Sequence, residues 1–187
     1  MAEDTSEGAA EMKDLTSTSF GYVIAFLLPG LCGLYALSYW SGAVDQLLQP
    51  AIKADATVGP SVILLLIALG IGLCVSAVRF FVFEKFLCRK HHFPPDMFGK
   101  LTKENRLVSF KAVVDEQYRY HQFYGGCAVV LVVVVAGWLH NHLHTASCGK
   151  IVLIVLAFMA LEWMLVQTAT DAFKRYAARG TTIVQAG

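Results

Sequence analysis

Residues 101–139 read LTKENRLVSFKAVVDEQYRYHQFYGGCAVVLVVVVAGWL, and the two halves of this stretch call for different solvents. In the first half Leu107, Phe110, Val114 and Tyr118 recur at steps of three and four, which stacks them on one helical face. Lys103, Lys111, Asp115 and Arg119 fall elsewhere around that helix, the last two as an i,i+4 pair in the favourable order. From Gly125 to Leu139 there is no charge at all. The stretch therefore predicts a helix that starts in water, capped by Thr102 with Glu104 in its first turn, and ends in lipid. Tyr118, Tyr120, Phe123 and Tyr124 crowd the crossing point, where aromatic rings prefer to sit, and Gly125 and Gly126 are expected to bend the helix there.

The rest of the chain repeats the apolar theme. Of 187 residues 56% are hydrophobic and 16% charged, against roughly 25% charged in an average soluble domain. The apolar residues fall into separate blocks, each near the roughly 20 residues that carry a helix across about 30 Å of hydrocarbon. The sequence predicts an all-α polytopic membrane protein of one domain over residues 19–180. It is a bundle of four transmembrane helices, at about 20–40, 60–83, 123–142 and 150–169, with the third extended into a cytoplasmic amphipathic helix over 102–122. Tyr22 at one end of the first span and Tyr39 and Trp40 at the other suit the two interfaces, and VDQLLQPAI (residues 44–52) suits a short interfacial turn. Pro60 opens the second span, where its missing amide costs nothing, and Pro94 with Pro95 breaks the chain before the third. Residues 1–18 hold almost nothing that can be buried and are expected to be a disordered acidic tail; residues 181–187 are expected to fray. An acidic start is unlike a secretory signal, so the first span is expected to be retained.

Charge then orients the bundle. Of the 15 Lys and Arg residues, only Lys53 and Lys150 fall in the first and third connections; the others lie in the central loop, its flanks and the two tails. The positive-inside rule puts both termini and the central loop in the cytoplasm, in a multi-pass cell (inner) membrane protein. Five cysteines show no CxxC spacing, and only Cys148 falls outside on this topology, so they are read as packing residues rather than a disulfide framework.

Several residues stand out within this frame. Pro29 removes an amide donor in mid-span and predicts a kink, while Gly30 and Gly33 make a thin face where another helix can approach. Glu162 is the one carboxyl well inside an apolar span, about 12 Å from its cytoplasmic end if the boundary is near Thr170. A charge there must be paired, wetted or neutralised. Its candidate partner is Arg79, otherwise expected to snorkel to the headgroups; Tyr22, Ser76 or a carbonyl freed by Pro29 are alternatives, and a proton or cation pathway is the functional reading. His140, His142 and His144 form an HNHLH run at the outer end of the third span. They are an open-ended Zn or Cu site, set against the ordinary role of interfacial histidines. The stripe Leu107, Phe110, Val114 and Tyr118 is a docking face for the end of the second span or for another subunit, with anionic lipid as the competing surface for its cations.

Composition and motifs also exclude. Net charge is +1, which gives no footprint for nucleic acid. No HExxH, GxSxG, Walker A or dinucleotide-binding pattern occurs, and the His91 to Asp96 H-x4-D spacing contains two prolines and no accompanying phosphate-binding motif. The sequence thus points to a non-enzymatic membrane protein without cofactor, an oligomeric scaffold, interaction or pore-like protein whose partners are lipid, further copies of itself or another membrane or cytoplasmic protein. The alternatives are an ion or small-solute transporter using Glu162 and an outward metal-handling protein using His140, His142 and His144.

Overall fold

The computed structural model describes residues 21, 23–52, 58–89, 104–143 and 145–185, and every regular element among them is helical. The acidic tail over 1–18, Tyr22, the His91 to Asp96 spacing, the Thr102 cap and His144 lie outside the described residues. In order, a π-helical turn (Val23–Leu27) leads into α1 (Leu28–Ser38), and α2 (Gly42–Ile52) follows. Helix α3 (Val58–Arg79) runs on as a π-helical segment, Phe80–Leu87. Helix α4 (Glu104–Val113) passes through a π turn (Val114–Tyr118) into α5 (Arg119–His142), and α6 (Cys148–Gln185) closes the chain.

Among the described residues three helices are long and apolar enough to cross a membrane, Val58–Leu87, Leu107–His142 and Cys148–Gln185. The first of the four expected spans is a shorter apolar helix, Ala25–Ser38. Helices α1, α3 and α5 pack on one another, and α6 lies along α5 and reaches α4 and the π turn that follows it.

Small residues set how closely these helices approach. A Cβ on Gly30 would run into the Ala68 carbonyl, and one on Gly72 into the Phe26 carbonyl, so α1 and α3 cross backbone to backbone. Gly33 lies against Ile71 and Val130, and Gly126 of α5 against the Pro29 ring, with 3.3 Å from its Cβ position to the ring carbons. At one end of the bundle Asn141 Nδ2 donates to the Tyr39 carbonyl over 2.8 Å, and Trp40 stacks on His140. At the other end Phe83, Ala128 and Ala169 form a buried core that joins the π extension of α3 to α5 and α6.

Pro29 stands where the π turn passes into α1, within one helical run, since Leu27 before it is already helical. Several expectations need correcting. The connection after Trp40 is not a short turn but the 11-residue helix α2, with Leu48 buried. Gly125 and Gly126 lie within continuous α-helix, and what their bareness provides is room for Arg79 and Pro29. Residues 181–185 do not fray: α6 stays helical to Gln185, and Gly180 and Val184 are buried. Of the cysteines read as packing residues, Cys88 is buried while Cys32, Cys74 and Cys148 are exposed.

Candidate functional site

The densest polar grouping is buried at the charged end, and a change of helical pitch assembles it. On an α-helix, residues five apart point roughly 140° away from each other. Through the π-helical segment that begins at Phe80 they share a side, so Arg79 Nη1 donates to Glu84 Oε1 over 2.9 Å. Both side chains are buried, at 2% and 7% residue exposure. The Tyr118 hydroxyl donates to the same oxygen over 2.9 Å, and the Arg79 guanidinium carbon lies 5.9 Å from the centre of the Tyr118 ring. Gly125 gives the Arg79 stem its space, since a Cβ there would sit 2.9 Å from Arg79 Cγ.

His121 completes the cluster. It is fully buried among Phe83, Tyr118 and Phe173, and its Nδ1 lies 2.8 Å from the Ala169 carbonyl. Since a carbonyl only accepts, Nδ1 carries the hydrogen; Nε2 lies 3.9 Å from Glu84 Oε1 and makes no hydrogen bond among the described residues. Cys88 is buried beside the group. Burial pushes its thiol pKa up, and the Glu84 charge adds to that, partly offset by Lys174 and Arg79.

A buried pair of this kind adds little net stability, because desolvation offsets most of the attraction. It does penalise every arrangement that separates its members. Here the members come from the extension of α3, from the π turn before α5, and, through the Ala169 carbonyl, from α6. The arrangement is a three-way clamp on helix register.

The structure separates the two residues the sequence had paired. Arg79 neither snorkels nor meets Glu162; its carboxylate is Glu84. Glu162 is half-buried on α6, and its Oε2 is buried without a hydrogen-bond partner among the described residues. Of the docking stripe, Phe110 and Tyr118 lie against Tyr176 of α6, with ring centres 6.2 and 5.1 Å away, and Tyr118 also reaches Glu84 at the end of the second span. Val114 is half-buried and Leu107 exposed. His140 stacks on Trp40 at 5.2 Å and His142 on Trp138 at 4.9 Å, so these two rings serve different aromatic partners. No metal-binding group of three His, Cys, Asp or Glu residues occurs among the described residues.

Glu84 and His121 are the members of the cluster that sequence reasoning missed. Glu84 carries a faint signal, a carboxylate five residues after an arginine at the end of an apolar run. His121 carries one only in hindsight, as a titratable residue inside an aromatic cluster where charge gives way to an uncharged run. Compared with known proteins, the chain matches no family model, no curated protein and no solved structure.

Proposed function

We propose that this chain is a non-enzymatic, multi-pass membrane protein that crosses the bilayer four times with both termini in the cytoplasm, and that it works as an oligomeric scaffold or interaction protein. One observation carries the reading: the long helices turn their large apolar side chains outward. Leu66 of α3 is 64% exposed, and Leu153 and Trp163 of α6 are 68% and 66% exposed. A water-soluble monomer rarely presents a continuous apolar patch beyond a few hundred Å2, whereas lipid tails and neighbouring helices accept one. The clamp of Arg79, Glu84 and Tyr118 supports a structural role, since both donors meet on one carboxylate oxygen. The test combines carbonate extraction of membranes, reporters at both chain ends and mass in detergent. Pelleting with membranes, two cytoplasmic ends and a mass above one chain fit the reading; ends on opposite sides or a soluble monomer refute it.

A second reading has its own observation. Among the described residues Oε2 of Glu162 has no hydrogen-bond partner, and a proton or cation relay in α6 would begin there. Saturable, gradient-driven flux in liposomes that is lost in Glu162→Gln favours transport; flux that is absent, or indifferent to that change, removes it.

A further inference from the structure

Two recesses lie end to end along the seam where α6 packs on α5. One is an open apolar groove of about 520 Å3 between α1, α5 and α6, where Cys127 and Leu131 face Leu161 and Leu165. The other, of about 280 Å3 and nearer the charged end, has Tyr120 and Tyr124 on one wall and Thr168, Asp171 and Arg175 on the other. On α5 the positions 120, 124, 127 and 131 follow at steps of four, three and four, and on α6 the positions 161, 165, 168, 172 and 175 do likewise. Each set is one helical stripe, so both recesses open on the same flank of the seam, about one turn apart.

We propose that this flank binds one phospholipid with a zwitterionic, amine-bearing headgroup, of the phosphatidylethanolamine class, with its headgroup in the polar recess and an acyl chain in the groove. The proposal rests on the membrane reading above. Length fits: Leu161 to Arg175 spans about 21 Å of helix, and half of a bilayer with its headgroups measures about 20–22 Å. Charge fits as well. Asp171 and Arg175 are joined at 2.7 Å, with both side chains more than half exposed. An exposed pair contributes little and opens readily, freeing a guanidinium for phosphate and a carboxylate for ammonium. The phosphate of any phospholipid can take Arg175, but only an amine-bearing headgroup also gives Asp171 a cation. The Tyr120 and Tyr124 rings, 6.3 Å apart and 23° from parallel, offer faces to the ammonium at the depth where aromatic rings gather.

The test is native mass spectrometry of the full chain in detergent with dioleoyl phosphatidylethanolamine and phosphatidylglycerol added in equal amounts. At least tenfold preferential retention of phosphatidylethanolamine is expected. Asp171→Asn with Arg175→Gln, and separately the groove-filling Leu131→Trp, should each cut retention at least tenfold. Glu116→Gln with Arg179→Gln, which removes an ion pair outside the recess, should leave it unchanged. Equal retention of the two lipids in the unaltered chain overturns the proposal, a comparison independent of how any variant folds. Undiminished binding in correctly folded variants overturns it too. Carbonate extraction of the same material separates the failures: a chain that pellets but shows no preference sinks the lipid site alone, and a chain that does not pellet sinks both readings.

Discussion

The Tyr118 hydroxyl donates to Glu84 Oε1 over 2.9 Å, across 34 positions of sequence, and Arg79 holds the same oxygen at 2.9 Å from within Glu84's own helix. One carboxylate oxygen therefore couples the end of α3 to the turn that feeds α5. Glu84→Ala leaves the Arg79 charge buried and uncompensated, and is expected to cost about 3–5 kcal/mol. Tyr118→Phe removes one hydrogen bond to a charged group, about 1.5–3 kcal/mol. Arg79→Leu combined with Glu84→Leu should cost less than Glu84→Ala. Unfolding followed by tryptophan fluorescence in detergent measures all three, and a double variant worse than the single would contradict the clamp.

Glycines divide into those a neighbour needs and those it does not. Gly72→Val drives a side chain into the Phe26 carbonyl and should destabilise by about 1–3 kcal/mol or more. Gly70, two residues away on the same helix, has nothing within 4 Å of its Cβ position. Gly70→Ala is therefore expected to stabilise by about 0.5–1 kcal/mol through helix propensity alone. Equal effects at the two sites would mean that α1 and α3 do not cross at Gly30.

Glu162 gives the opposite expectation from Glu84. Its Oε2 is buried without a hydrogen bond among the described residues, so Glu162→Leu should leave stability unchanged or raise it by about 1–3 kcal/mol. A clear loss in the same unfolding assay would reveal a partner for this carboxyl.

Thiol labelling tests burial and surroundings together. Cys88 is buried with a raised thiol pKa, so at pH 7.5 its thiolate fraction falls below that of an ordinary cysteine, and it should react with maleimide only after denaturation. Cys148 is exposed and should react at once. Cys32 and Cys74 are exposed on apolar helices; a charged, membrane-impermeant maleimide should spare them in membranes, though both react in denaturant. Rapid labelling of Cys74 in intact vesicles would argue that water, not lipid, covers α3. Single-cysteine chains analysed by mass give each rate.

Much of the architecture could be read from patterning. Uncharged blocks of sufficient length mark helices whatever packs around them, and the passage from charge to no charge between Leu101 and Leu139 falls within one helical run, from Glu104 to His142. The cluster was hidden because spacing rules assume α pitch, which puts Arg79 and Glu84 on opposite sides and leaves Glu162 as the obvious carboxylate. The Arg79–Glu84 contact follows the π pitch, and the third partner, Tyr118, comes from distant sequence. The helical end of α6 was hidden for a related reason. Lys174, Arg175 and Arg179 read as a solvated tail, while Phe173, Ala177, Gly180 and Val184 are the positions that bury, and three of those four are too small or too isolated to announce a face.

Helix α6 is unbroken over 38 residues, about 57 Å, nearly twice the roughly 30 Å thickness of hydrocarbon. Its N-terminal half has no buried residue, and its C-terminal half carries all five. It is shaped as a lever: loosely held along one arm, pinned along the other at Phe173 and Tyr176. The tie between this long helix and the Glu84 carboxylate runs through two contacts of Tyr118, its ring against Tyr176 and its hydroxyl on Glu84 Oε1.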